Sequence, residues 1–403
     1  MAGMSLRFHR PWLWLALALP TLGRAAAGEE APSPALAFLR ALSAADATPE
    51  KRKAAWADLK KAGKPIPPAI VEAIDKARQR AWHTLATQIS SAEVKKVGTG
   101  LHARIAPYQK RVRDVVGGKG FDGPVLDKAM DPIQKPFDEV LAALKAVPKF
   151  AETRSLVSEM ETYAAATPLR IGWSEELADP LVNEMILGRY VARPRGQETI
   201  ENNTHVGAWI DPGEYACMAR LNVHRLLIGL DPVEIDPRLV VAAKKHSEEM
   251  VAKKYFSHTS PTPRFAGFGQ RASREHTGAS GECIAAGSGD GVGAFKMWYY
   301  SQGHHQIMIM GTPGIGVGRC ENTWTLMMGG AKTRGPEAEK MAQYVRQRYR
   351  AGKDPAAIID VARFCSAAKL LPQAEDELER VLAIDPENEV AGKVLKAMRS
   401  AGR

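Results

Sequence analysis

Two histidines and a glutamate are the residues of this chain whose types and spacing could do chemistry. His258 ends the run YFSH, Glu282 stands in GECIA, and His304 lies in SQGHH. Two imidazoles and a carboxylate can hold one divalent cation such as zinc, or they can exchange protons as general acid and base. Which role applies depends on the elements that bring the three side chains together.

The segment from 216 to 332 contains all three residues and is predicted to form one α+β domain. Its apolar spacing predicts a helix over 217–230, a second that begins at Pro237, and a third over 295–302. Several helices on a small antiparallel sheet form a layered sandwich. The predicted strands are Glu282–Ala286, Gly314–Cys320 and Thr323–Met328.

Five phrases in this segment occur in the order typical of one family. They are LNVHR with GLDP (221–232), AAKKHSEEM with YFSH (242–258), GECIA (281–285), WYYSQGH (298–304) and GVG (316–318). The stretch from Leu221 to Gly330 resembles the CAP or SCP superfamily of cysteine-rich secretory proteins, antigen 5 and pathogenesis-related proteins, in its bacterial secreted form. The resemblance implies a CAP-type α-β-α sandwich.

In that family two histidines and two acids line a cleft. Matched position by position, the resemblance assigns His258 and His304 as the histidines and Glu282 as one acid. The second acid is expected three residues after Trp298, where this chain has Ser301. Two imidazoles remain for zinc or another divalent cation, whereas a mechanism that needs two carboxylates is weakened.

Three functions are compatible with this cleft. The resemblance favours a non-enzymatic module that binds a divalent metal, a lipid or a peptide. A metal-dependent hydrolase would use His258 and His304 to activate water and Glu282 as its base. An envelope scaffold would act through the helical flanks. Purely structural packing of the three polar side chains is a further alternative.

The N-terminus and the charge restrict the compartment and the partners. Residues 1–27 have a basic start, a short apolar run and AAA before GEE, which predicts a cleaved signal peptide and a secreted or periplasmic protein. The chain is basic, at +10, but it has no nucleic-acid motif. We therefore expect a lipid or another cell-envelope component, or a protein bound by the helical flanks, as partner.

The chain has four cysteines, which are too few for a disulfide scaffold. Cys283 and Cys320 fall in predicted strands of one domain and are the candidate disulfide pair. Two buried free thiols are the alternative.

Helical segments flank the domain. Residues 35–166 are predicted to form a helical bundle, since Ile70, Ile74 and Leu85 belong to a stripe at helical spacing. Residues 167–215 are predicted to be a connector with some strands. Residues 336–403 are predicted to be a helical tail, in which about 355–388 resemble one tetratricopeptide repeat.

Overall fold

The computed structural model describes residues 33–44, 47–330 and 336–401. The chain divides into two compact units, one up to Gly63 and one from Lys64 onward. The predicted signal peptide, 1–27, lies outside the described residues. In the first unit, helices α1 (Pro34–Ser43) and α2 (Pro49–Lys61) bring the rings of Phe38 and Trp56 to 4.9 Å between centroids.

The second unit begins with helices that follow the predicted apolar stripe. Helix α3 starts at Pro68, and Ile70, Ile74 and Leu85 are all buried on one face of it. The glycine-rich run after Val116 ends one helix, and the next begins at Gly123. The helices of this region are α3 (Pro68–Ile89), α4 (Ala92–Gly98), α5 (Leu101–Gly117), α6 (Gly123–Lys145) and α7 (Phe150–Ala165).

The expected strands of the connector do not form. Residues 167–215 contain helices α8 (Glu175–Tyr190) and α9 (Pro194–Gly207) and the start of α10 (Pro212–Leu227). Pro194 and Pro212 each occupy the first turn of a helix, where the missing N–H group costs nothing. Pro194 and Pro212 therefore mark helix starts in this segment.

The CAP-like domain is built around α10, which is buried along almost its whole length. Two predicted helix boundaries are wrong. The first helix starts at Pro212 because Asp211 caps it, and the third ends at Tyr299 and is followed by a separate short helix. After α10 the domain contains β1 (Glu234–Ile235), α11 (Pro237–Ala252), a 3₁₀ turn (Pro263–Phe265), α12 (Phe268–Arg274), β2 (Ala279–Ala286), α13 (Gly291–Tyr299), α14 (Gln302–Met308), β3 (Gly314–Cys320) and β4 (Thr323–Gly329).

The three predicted strands are confirmed, and they form the centre of an α-β-α sandwich. The strand order is β1-β3-β4-β2, with β1 parallel to β3 and the other pairs antiparallel. Helix α11 crosses β3 closely. A Cβ atom at Gly316 would lie 2.2 Å from the backbone of Leu239, and one at Gly318 would lie 2.1 Å from the backbone of Lys244. The GVG phrase is therefore a packing requirement of this layer.

The tail is helical and packs against the CAP-like domain. Asp376 accepts hydrogen bonds from Arg274 Nη2 at 2.5 Å and from Lys245 Nζ at 2.7 Å, and all three side chains are largely buried. Its helices are α15 (Pro336–Ala351), α16 (Pro355–Ala367), α17 (Leu371–Ile384) and α18 (Glu389–Ala401). The assignment of a tetratricopeptide repeat to this tail stays a prediction.

The proposed disulfide is wrong. Cys283 of β2 lies opposite Leu326 of β4, whereas Cys320 of β3 lies opposite Thr323 of the same strand. Three residues along β4 span about 10 Å, and β2 and β3 lie on opposite sides of it. This separation exceeds the reach of a disulfide, and all four cysteines are free thiols.

Candidate functional site

His258 lies on the loop that follows α11, and a partly buried carboxylate orders this loop. Glu249, near the end of α11, accepts hydrogen bonds from Tyr255 Oη at 2.8 Å and from Ser260 Oγ at 2.7 Å. It also accepts from Lys253 Nζ at 2.8 Å and Thr262 Oγ1 at 2.5 Å. Although burial opposes ionisation, these four donors lower the pKa of Glu249 to about 2. The loop is thus fixed around an ionised group.

Glu282 is the centre of the site, and each of its oxygens has its own partner. Its Oε1 accepts a hydrogen bond from His258 Nδ1 at 2.9 Å, and its Oε2 accepts one from Arg271 Nη2 at 2.5 Å. The side chains of Glu282 and Arg271 are only 1% and 3% exposed, whereas that of His258 is 51% exposed. Glu282 therefore orients an exposed imidazole from a buried position.

The contact with Glu282 fixes the tautomer of His258. An ionised carboxylate only accepts hydrogen bonds, so Nδ1 must hold the proton. In the neutral ring Nε2 then has a free lone pair, and no hydrogen bond to Nε2 is found among the described residues. His258 consequently presents an acceptor, or a metal-ligating nitrogen, toward solvent.

Arg271 also connects the site to the surrounding loop. Its Nη2 donates to the carbonyl of His258 at 3.1 Å, and its Nη1 donates to the carbonyl of Phe265 at 2.7 Å. Helix α12, which contains Arg271, ends at Arg274, the residue bound by Asp376 of the tail. The tail therefore supports the same helix that holds the carboxylate in place.

His304 reaches the site from α14. The side chain is half-buried, and burial followed by the nearby charge of His258 lowers the pKa of His304 below its ordinary value. The two imidazoles are thus close enough to sense each other's charge, as the family cleft implies. The lowered pKa of His304 favours its neutral form.

Helix α14 approaches β2 closely because residue 281 is a glycine. A Cβ atom at Gly281 would lie 2.9 Å from Cγ2 of Ile307. One residue beyond Glu282, the thiol of Cys283 contacts the carbonyl of His304 at 3.7 Å. Burial, and after it the charge of Glu282, raises the pKa of Cys283, so this thiol is a poor nucleophile.

Ser301 stands just before α14 and outside the hydrogen-bonded cluster. Its carbonyl accepts the hydrogen bond of His305 N at 2.8 Å, which makes it the residue that starts the helix. Within the described part of the chain its hydroxyl has no hydrogen bond to His258, Glu282 or His304. At the position of the second family acid, this chain therefore has an uncharged side chain.

Sequence reasoning missed three members of the site. Arg271 lies outside the five family phrases, whereas Glu249 and His246 lie in the phrase AAKKHSEEM but are not among the residues that the resemblance assigns to the cleft. His246 Nε2 donates to the carbonyl of Ser257 at 3.1 Å and lies 3.9 Å from Glu282 Oε1. Burial lowers the pKa of His246 to about 4, so it is a neutral neighbour of the carboxylate.

The donor set fits a divalent cation only in part. Among the described residues, no three His, Cys, Asp or Glu side chains are arranged to hold a metal ion. Glu282 is already bonded at both oxygens, so it is a hydrogen-bond partner of a ligating histidine rather than a ligand. Carboxylates commonly orient zinc-binding histidines in this way, but two nitrogens leave half of a tetrahedral zinc site to water or to a bound ligand.

Comparisons with known proteins agree with this architecture. Residues 218–328 match the model of the CAP family, described as the Cysteine-rich secretory protein family. Residues 218–328 are therefore similar to the CAP family, and the predicted α+β fold with helical flanks is confirmed.

Two bacterial proteins are similar to this segment. The uncharacterized protein YkwD of Bacillus subtilis (strain 168) is 30% identical over 135 residues, which are 33% of this chain and 52% of that protein. An extracellular protein containing a SCP domain from Bacillus anthracis str. Ames is 28% identical, with a TM-score of 0.29, over 31% of this chain and 43% of that one. The chain thus spans about half the length of the relatives it matches.

Among residues 33–44, 47–330 and 336–401, no helix is both long enough and apolar enough to cross a bilayer.

Proposed function

We propose that this chain is an exported, non-enzymatic binding module whose CAP cleft takes a divalent cation, zinc being the best match, through His258 and His304. The observation that supports it is the hydrogen bond from His258 Nδ1 to Glu282, which leaves Nε2 with a lone pair on a half-exposed ring. Zinc binds neutral imidazole, and the lowered pKa of His304 favours the neutral form.

The remaining coordination positions suit a bound ligand. Two imidazoles and two open positions would let a peptide or another donor complete the zinc sphere. Phe256, two residues before His258, has 54% of its surface exposed and could contact an apolar part of such a ligand. Glu282 would keep the ring of His258 in the ligating orientation.

A zinc titration of the full chain by calorimetry tests the proposal. We expect one saturable site in the wild type and none in His258→Ala or His304→Ala. Glu282→Gln should keep the ligands but weaken binding by about 10- to 100-fold, because the orienting carboxylate is lost. His102→Ala, at an exposed histidine of α5, is the matched control and should bind as the wild type does. Equal affinity in all variants would overturn the proposal.

Hydrolysis is a weaker alternative. The only acid expected to serve as base, Glu282, is buried and bonded at both oxygens. A general base must instead reach the proton of an attacking water. Turnover of an ester or peptide substrate that disappears in Glu282→Gln, with folding unchanged, would restore the enzymatic interpretation.

Export is part of the proposal. The composition of residues 1–27 and the extracellular relative of Bacillus anthracis support it. N-terminal sequencing of the protein recovered outside the cytoplasm should begin at Gly28. Recovery of the intact Met1 terminus from the cytoplasm would contradict export.

A further inference from the structure

His304 lies on a helix that cannot be stable by itself. Helix α14 has seven residues, from Gln302 to Met308, and isolated helices of this length do not form in water. The position of His304 relative to His258 must therefore come from tertiary contacts of α14. These contacts lie on two sides of the helix.

On the core side, two buried histidines bond to each other. Nε2 of His224, on α10, lies 2.8 Å from Nε2 of His305, and Nδ1 of His305 lies 2.8 Å from the carbonyl of Tyr299. The carbonyl only accepts, so Nδ1 of His305 holds its proton and Nε2 accepts the bond from His224. Only this tautomer of the neutral pair satisfies both contacts.

The pair is enclosed in the core. The side chains of His224 and His305 are 4% and 0% exposed, so water does not compete for the hydrogen bond between them.

The next residue of α10 holds the other end of the helix. Arg225 Nη1 donates to the carbonyls of Met308 and Met310, both at 2.9 Å. These carbonyls follow the last turn of α14 and have no helical N–H partner of their own. His224 and Arg225 together attach α14 to the centre of the domain.

On the outer side, the helices before the CAP domain hold the same element. Gln306 Nε2 donates to the carbonyl of Val116 at 3.0 Å, and Gln302 Nε2 donates to the carbonyl of Gly118 at 2.5 Å. These acceptors lie at the end of α5, where helical carbonyls lack partners. The ring of Phe121 meets the edge of His305 at 6.2 Å between centroids.

We propose that His224 is a positioning residue of the cleft: its bond to His305, together with the amides of Gln302 and Gln306 on α5, fixes α14 and so places His304 beside His258. The helical region before the CAP domain is then part of the site and not an independent appendage. The role of His224 in metal binding rests on the proposed function, but the placement of α14 can be measured without any ligand.

The test compares His224→Ala with His224→Gln in the full chain. Glutamine keeps a neutral N–H donor of similar reach, whereas alanine removes it. Hydrogen–deuterium exchange should rise over residues 301–309 in His224→Ala and return toward the wild-type rate in His224→Gln. Zinc affinity should fall about tenfold or more in His224→Ala and recover in His224→Gln.

The outer contacts have a matched control. Gln302→Ala/Gln306→Ala should raise exchange in α14, whereas Gln79→Ala/Gln134→Ala, at exposed glutamines of α3 and α6, should leave it unchanged.

Unchanged exchange and unchanged zinc affinity in His224→Ala would overturn the inference. If the wild type binds no zinc, the proposed function fails and exchange alone decides. Protection of α14 that depends on His224 would then still support the inference, and equal exchange in all variants would refute it.

Discussion

Arg271 and Glu282 form a buried ion pair in the wall of the cleft, with 2.5 Å between Nη2 and Oε2 and both side chains almost fully enclosed. The pair explains how a carboxylate can lie beneath an exposed histidine without being available to solvent. It also makes Glu282 dependent on one residue that no motif indicates.

Loss of Arg271 should therefore strongly destabilise the folded protein. Arg271→Met leaves the charge of Glu282 buried without its partner, which should lower the free energy of unfolding by about 3–5 kcal/mol. Urea unfolding followed by tryptophan fluorescence measures it. Arg271→Met/Glu282→Gln removes the unpaired charge and should recover part of the loss.

Arg363→Met is the control for the Arg271 variants. It breaks an ion pair whose side chains are 71% and 69% exposed and should cost less than about 1 kcal/mol. Equal losses in the buried and the exposed pair would show that Arg271 does not support Glu282.

Glu184 of α8 predicts a pH dependence. It is fully buried, and burial raises the pKa of Glu184 from 4.5 to about 8, although a hydrogen bond with Asn222 opposes the shift. The unfolded chain ionises this group first. Its contribution to stability is therefore complete below pH 4.5 and is lost as the pH rises through about 8.

Glu184→Gln should remove that dependence. Urea midpoints at pH 5, 7 and 9 should fall more steeply with pH in the wild type than in the variant, and the variant should gain relative stability above pH 8. Parallel pH profiles of the two proteins would contradict an enclosed, neutral Glu184.

The four thiols should differ in reactivity. Cys217, Cys283 and Cys365 are buried, and burial raises their pKa, whereas Cys320 is partly exposed. Titration of the native protein with Ellman's reagent should modify Cys320 first, and Cys320→Ser should abolish this fast phase. All four thiols should react after unfolding without a reductant, and a count of two would restore the disulfide.

The tail should be a stable part of the second unit. Asp376→Asn weakens the contacts of Asp376 with Lys245 and Arg274 and should cost a few kcal/mol, because those cations stay buried. Limited proteolysis should then cleave the tail faster. Glu389→Gln, in an exposed pair with Lys393, should change neither stability nor cleavage.

Local patterns in the sequence were sufficient to predict many of the helices and strands and part of the candidate site. The stripe through Ile70 and Leu85 predicts α3 because helical period and burial coincide. The ordered phrases that resemble CAP domains select His258, Glu282 and His304. The structure bonds His258 to Glu282 and places His304 near enough to His258 for their charges to interact. Residues 167–215 were not recognised as helical, because proline is equally suited to a loop and to the first turn of a helix.

Tertiary structure alone decided what each of these residues does. The two hydrogen-bond partners of Glu282 come from the loop after α11 and from α12. Arg271 has no local signature because ion pairing depends on distance through space and on burial. The pairing of His224 with His305 joins residues 81 positions apart, and sheet register, not sequence proximity, separates Cys283 from Cys320. The sequence thus determined which side chains could do chemistry, and packing determined that one carboxylate became a buried support for a histidine that faces solvent.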